Sequence, residues 1–154
     1  MEPQLQWVVE NLHARYAHAL DAGRLEDWPE LFTENGTYRI TTAENEERGL
    51  PLPVLYAEGR PMLRDRVASL RHANIYEPQR YRHLVSAVLA ERLSESMAKS
   101  VASFMVVRIM ESGDTVLFAS GRYVDRISVA EMRYEERVVI CDSRRFDTLL
   151  AIPL

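Results

Sequence analysis

The sequence predicts an α+β fold in which helices come first and a long antiparallel sheet follows. Three observations carry that expectation. The opening residues place apolar side chains at helical spacing. The second half is rich in β-branched and apolar residues in long runs. Turn-like pieces separate those runs, with Glu111-Ser112-Gly113-Asp114 the clearest.

From Gln4 to Ala22 the positions Leu5, Val8, Val9, Leu12, Tyr16, Ala19 and Leu20 follow a helical stripe, and Gly23 supplies the stop. A short second helix is expected over Leu25 to Phe32, where Trp28, Leu31 and Phe32 share a face and Asn35-Gly36 closes the segment. Thr37 to Thr42 alternates as a strand. Ala43 to Leu52 is polar and ends in Gly49 and Pro51, so it reads as a loop. Pro53 to Tyr56 suits a short edge strand, because proline is tolerated at strand starts. Arg60 to Asn74 returns to helical spacing through Leu63, Val67 and Leu70, with Pro61 in the first turn.

Four long strands are expected after Pro78: Tyr81 to Leu93, Ser96 to Met110, Thr115 to Ile127 and Met132 to Asp142. Tight connections between them make an antiparallel meander. Val101 to Met110 is apolar at both parities, which predicts a strand covered on both faces. A sheet of this kind buries one face, and three helices can cover it. A strongly curved sheet wrapped around a long helix, a cone-like α+β barrel, satisfies that need, and its interior is where a pocket can form.

At 154 residues, a single domain spanning residues 1–154 is expected, burying roughly 70% of its unfolded surface. Hydrophobic residues make up 47% and charged residues 27%, which excludes a disordered or fibrous chain. The net charge of −4 gives no electrostatic footprint for nucleic acid or an anionic membrane surface. Lys99 is the one lysine against 18 arginines, a bias that suits carboxylate pairing and equally reflects base composition. The first residues lack a signal-peptide pattern, no apolar run is long enough to cross a membrane, and Cys141 has no second cysteine to pair with, so a cytoplasmic protein is expected.

The four histidines are His13, His18, His72 and His83. His13 and His18 are five apart on one helix, about 140° away from a common face, so they are not a ligand pair. A Rieske cluster takes two cysteines and two histidines, which this chain cannot supply alone. Phosphate-binding glycine loops and a G-x-S-x-G elbow are absent from the sequence. No metal or cofactor site is therefore expected. Acid–base chemistry has candidates: Tyr16 and Asp21 at the end of the first helix, and His83 in the run Arg80-Tyr81-Arg82-His83. Cone folds of the ketosteroid isomerase and scytalone dehydratase kind place Tyr, Asp and His in the cavity for isomerisation or dehydration. Each also has a structural reading: Tyr16 a core aromatic, Asp21 a helix-end residue, His83 a hydrogen-bonded or interface side chain. Cys141 reads as an inert buried thiol. Arg122, Asp125, Arg126, Arg133, Glu135, Glu136 and Arg137 form a belt of mixed sign, either a solvated face or a partner-facing surface.

Specific runs then carry a resemblance. They are Tyr16 through Asp21-x-x-x-Leu25-x-x-Trp28-x-x-Leu31-Phe32 to Tyr38-Arg39, Met62-Leu63-x-Asp65-Arg66-Val67 through Ala73-Asn74-Ile75-Tyr76-Glu77, and Tyr81-Arg82-His83. Phe104-Met105-Val106-x-Arg108-Ile109-Met110, Phe118-Ala119-Ser120-Gly121-x-Tyr123, Cys141-Asp142-Ser143 and Asp147 to Leu154 continue it. In order, these resemble the β subunits of aromatic-ring-hydroxylating oxygenases, on the branch that includes terephthalate dioxygenase and salicylate hydroxylase. The resemblance implies the cone-like fold already reached from the residues. It implies a chain with no cofactor and no catalytic residue of its own, scaffolding catalytic α subunits, commonly as α3β3. The α subunit would hold the Rieske [2Fe-2S] cluster and a mononuclear Fe(II), a reductase would deliver electrons from NAD(P)H, and an aromatic carboxylate would be the substrate. The competing expectation is a stand-alone isomerase or dehydratase working through Tyr16, Asp21 and His83.

Overall fold

In the computed structural model, residues 2–50, 53–73, 78–143 and 152–154 are described. The expected loop residues Pro51 and Leu52, the helix end at Asn74, and the runs 74–77 and 144–151 lie outside them.

The first helix, α1, spans Pro3–Asp21 and buries Leu5, Val9, Leu12, Tyr16 and Leu20. It ends in a left-handed Gly23 (φ 74). Arg24 N–H donates to the Ala19 carbonyl at 2.9 Å and Gly23 N–H to that of Leu20 at 3.1 Å, satisfying carbonyls the helix leaves open. The expected second helix is two single 3-10 turns, Leu25–Asp27 and Pro29–Leu31. Pro29 has no N–H to donate, so no continuous helix passes through it. Phe32 is already extended and opens β1, Phe32–Thr42, five residues earlier than its alternation predicts. Asn35-Gly36 therefore lies inside a strand, at a shift in register between Phe32 and Thr37. A Cβ on Gly36 would sit 2.9 Å from the Tyr134 carbonyl oxygen.

The expected loop after β1 begins as a short helix, α2, Ala43–Glu47. Thr42 caps it, its Oγ1 accepting from Asn45 N–H at 3.1 Å. Next come the edge strand β2, Leu55–Glu58, and helix α3, Arg60–Ala73. The meander is β3 (Gln79–Arg92), β4 (Met97–Met110), β5 (Thr115–Ser128) and β6 (Arg133–Cys141).

The six strands form one sheet in the order β2-β1-β6-β5-β4-β3. Every pairing is antiparallel except β1 with β6, which is parallel, because the chain crosses the whole meander before returning beside β1. The sheet does not close into a complete barrel. On the open side α1 lies along β3 and takes the place of a closing strand. Asp21 Oδ2 accepts from the backbone N–H of His83 at 2.9 Å. The Gln6 amide accepts from Ala90 N–H at 3.0 Å and donates to the Val88 carbonyl at 2.6 Å. Two helical side chains thus satisfy backbone groups that the strand would otherwise leave unpaired. Between them β3 bulges at Ala87 (φ 53), and the pairing steps from Ser86 opposite Ser103 to Leu89 opposite Val101.

The core lies between α1 and the inner face of the sheet. Trp28, Phe32, Tyr38, Tyr134 and Tyr16 form its aromatic centre, with ring centroids 5.0–6.2 Å apart in mostly edge-on contacts. Along β4, Ala98, Ser100, Ala102, Phe104 and Val106 face inward and are buried. Val101 and Met105 stand exposed on the outer face, so the described residues do not cover β4 on both sides.

Of the six glycines, Gly121 lies under the tightest backbone approach. A Cβ there would lie 1.9 Å from the Ile140 carbonyl oxygen, across the β5–β6 pair. Gly121→Ala must push the strands apart, and overpacking at a rigid backbone costs about 1–3 kcal/mol or more. We expect a lower urea midpoint with an unchanged slope.

Candidate functional site

The alternation of β5 turns Tyr123, Asp125 and Ile127 inward, and the β5–β6 register sets Arg137 opposite Asp125. Both charges are fully enclosed. Arg137 Nε and Nη2 donate to the two Asp125 carboxylate oxygens, each at 2.9 Å. The guanidinium carbon lies 3.7 Å from the Tyr123 ring centre and 4.2 Å from those of Tyr16 and Tyr134. Burial alone would disfavour the Arg137 charge, but Asp125 and the surrounding tyrosine oxygens outweigh it and hold the group protonated well above its ordinary range. Burial also pushes the Asp125 carboxyl up, against the pull of Arg137. With two short bonds to a permanent cation, the pair is ionic at neutral pH.

His13 from α1 completes the cluster. Its Nδ1 is 2.7 Å from the Tyr134 hydroxyl and 3.1 Å from Arg137 Nη2, and its Nε2 is 3.1 Å from Ser100 Oγ. A guanidinium only donates, so Nδ1 accepts and Nε2 carries the proton. Burial, then the Arg137 charge, hold the His13 pKa well below 6.5. The unfolded chain therefore binds a proton near pH 6.5 that the folded chain refuses. Stability is complete above that pH and is lost as pH falls below it. We expect the urea midpoint to drop between pH 6.5 and 5, and His13→Gln to flatten that part of the profile.

Of the residues expected to do acid–base chemistry, Asp21 and His83 meet. His83 Nδ1 lies 2.6 Å from Asp21 Oδ1, and Arg82 Nη1 is 3.7 Å from the same carboxylate. His83 Nε2 is buried and has no hydrogen-bond partner in the structure. Tyr16 turns its ring, not its hydroxyl, to His83, with centroids 6.4 Å apart and nearly perpendicular. Its hydroxyl donates to the Leu154 carbonyl. Tyr38 donates to the same oxygen at 2.9 Å and accepts from Leu154 N–H at 3.1 Å. Burial raises the Tyr16 pKa, which keeps the phenol protonated and makes it a weak proton donor. The three groups do not present polar atoms to one shared point. Asp21 and His83 both line a groove of about 390 Å³ between α1 and β3, with Glu10, Ala14, His18 and Ser86.

The belt of seven charges thus divides. Asp125 and Arg137 belong to the core, contrary to both readings of the belt, and Arg122 and Arg126 face outward. The signal was available in the period-2 alternation through Tyr123 and Ile127, which places Asp125 among buried positions. Cys141 is buried, and burial followed by Asp142 pushes its thiol up to about 12, so it stays an unreactive thiol. Among the described residues no group of three or more His, Cys, Asp or Glu is placed to hold a metal ion.

Comparison with known proteins gives a consistent picture. The family described as ring hydroxylating beta subunit matches residues 15–146. The chain is 40% identical to the terephthalate 1,2-dioxygenase terminal oxygenase component subunit beta 1 of Comamonas sp, over 95% of this chain and 96% of that one. It is 43% identical to the anthranilate 1,2-dioxygenase small subunit of Burkholderia cepacia, over 93% and 90%. A crystal structure from Novosphingobium aromaticivorans DSM 12444, assigned provisionally as the beta subunit of an aromatic-ring-hydroxylating dioxygenase, superposes with a TM-score of 0.88 at 34% identity. It covers 97% of this chain and 96% of that one.

Proposed function

The chain belongs to the ring hydroxylating beta subunit family, and from that premise we propose that it scaffolds the catalytic α subunits of a Rieske-type terminal oxygenase without catalytic residues of its own. The observation that carries this reading is the match to dioxygenase small subunits over nearly the whole chain. It favours the small-subunit role over a stand-alone isomerase or dehydratase. The interior supports it as well: where a cone-fold enzyme needs space for substrate, this chain packs Arg137, Asp125 and three tyrosines. Tyr16, Asp21 and His83 then serve the fold, tying α1 to Leu154 and to β3.

The donor set does not fit an iron centre. One cysteine cannot serve a Rieske cluster, both ring nitrogens of His13 are engaged by Tyr134 and Ser100, and His83 Nδ1 is engaged by Asp21. The [2Fe-2S] cluster and the mononuclear Fe(II) accordingly belong, in this proposal, to the α subunit, with electrons arriving from NAD(P)H through a reductase. An α3β3 assembly and an aromatic carboxylate substrate, of the terephthalate, anthranilate or salicylate type, complete the reading. Residues 1–154 act as one domain in it, in the cytoplasm. Among the described residues no helix is long and apolar enough to cross a membrane.

Co-expression with a Rieske-type large subunit from the same source tests the proposal. Light scattering is expected to give a hexamer that contains iron and oxidises an aromatic carboxylate. The isolated chain is expected to show no visible absorbance and no turnover. A chain that stays monomeric in the presence of the large subunit, or that turns over an enolisable ketone alone, would sink it.

A further inference from the structure

Residues Ile152, Pro153 and Leu154 lie within the molecule without belonging to a helix or a strand. Leu154 is fully enclosed, Pro153 is buried, and Ile152 packs against the edge of the core. Among the described residues, no backbone hydrogen bond joins this segment to the sheet. Its polar contacts come instead from side chains far away in sequence. The Tyr16 and Tyr38 hydroxyls both donate to the Leu154 carbonyl, Tyr38 at 2.9 Å. Leu154 N–H donates back to the Tyr38 oxygen at 3.1 Å. Trp28, Ile40, Leu55 and Leu70 face the same narrow slot as Ile152 and Pro153.

A pocket holds a peptide in this way; a sheet holds a strand through its backbone. Two phenols converging on one oxygen form a cradle for a carbonyl. Burial raises the pKa of both, which keeps each O–H in place to donate. Tyr38 also takes the N–H of the same residue, so the cradle reads an acylated amino group and a carbonyl on one carbon. Pro153 brings no N–H into the interior that would need a partner. The walls are largely hydrocarbon, which admits an apolar side chain and excludes a charged one. We propose that the space between α1, β1 and α3 is a binding site for an N-acylated apolar amino acid, with Ile152-Pro153-Leu154 as its built-in occupant. An occupant carried by the chain itself has a high effective concentration, so a free competitor enters only when the segment withdraws. This inference is independent of the small-subunit reading, because it concerns the interior alone.

The test compares the whole chain with a variant lacking residues 152–154, and the probe is the acetylated tripeptide Ac-Ile-Pro-Leu. Binding is read by titration calorimetry and by the fluorescence of Trp28 in a Trp7→Phe background. The shortened chain is expected to bind the probe with a Kd of about 100 µM, and the whole chain at least about 100-fold more weakly. Tyr38→Phe in the shortened chain is expected to weaken binding about 10-fold, since it removes a donor and an acceptor together. Ac-Ile-Pro-Asp, which puts a charge where Leu154 is enclosed, is expected not to bind. Circular dichroism establishes that each variant folds. If the shortened chain does not, Leu154→Ala in the whole chain takes its place. That variant keeps the backbone bonds and is expected to take up the probe at least about 10-fold more readily than the unmodified chain. A folded variant that ignores Ac-Ile-Pro-Leu would overturn the proposal. So would equal binding of Ac-Ile-Pro-Leu and Ac-Ile-Pro-Asp, or binding indifferent to Tyr38→Phe, since either marks the space as a void without recognition.

Discussion

Arg137→Met is expected to cost about 3–5 kcal/mol of folding stability, because it leaves the Asp125 carboxylate buried without its counter-charge. Nothing else around Asp125 replaces the cation. His13 is neutral and 3.7 Å away, and Ser100 is neutral. Urea unfolding of the isolated chain measures the loss. The pH dependence identifies its cause. Without Arg137 the carboxyl moves up further, so the variant regains stability as pH falls toward the raised pKa and loses it as pH rises through it. Adding Asp125→Leu should restore most of the loss, since a matched apolar pair avoids the desolvation that two buried charges pay. If Arg137→Met costs under 1 kcal/mol, or if the double variant is no better than the single, the pair does not act as an isolated buried ion pair.

Trp28→Ala is expected to cost about 3–5 kcal/mol through the cavity it leaves. The indole is fully buried where the two 3-10 turns meet. It packs edge-on against Phe32 at 5.6 Å and Tyr38 at 5.0 Å. Tyr38 in turn holds both polar atoms of the Leu154 backbone, so loss of the indole loosens the end of the chain as well as the core. Trp7→Ala provides the contrast. That side chain is 66% exposed, and its removal should stay within about 0.5 kcal/mol. Circular dichroism against urea separates the two.

Long periodic elements were legible in the sequence. The stripes of α1 and α3 and the four meander strands declare themselves over nine or more residues each, long enough for pattern to outweigh noise. Short elements were not. Leu25 to Leu31 carries helical spacing, but Pro29 splits it, and a backbone donor counts for more than an apolar stripe over seven residues. Five residues of α2 have no buried side chain and rest on the Thr42 cap and on ion pairs of Glu44 with Arg48 and Glu46 with Arg39. The parallel β1–β6 pairing joins residues about a hundred positions apart, which no local pattern encodes. At the site, Asp21 and His83 are in contact, while Tyr16 turns its ring rather than its hydroxyl toward His83. Arg137 and Asp125 escaped because seven charges in two neighbouring strands read as a surface belt. Strand parity separates them, since Asp125 shares a face with Tyr123 and Ile127.

The clasp that Gln6 and Asp21 make on β3 bears on how this chain survives before it meets a partner. A fourteen-residue strand at the end of a sheet is a template on which further chains can stack, and the neighbouring outer face is greasy enough to hold them there. Occupying His83 N–H, Val88 C=O and Ala90 N–H from within, and kinking the strand at Ala87, denies that template its regular ladder. An unassembled copy can then stay dissolved while its sticky face waits, and the helix that shapes the core doubles as the guard against polymerisation.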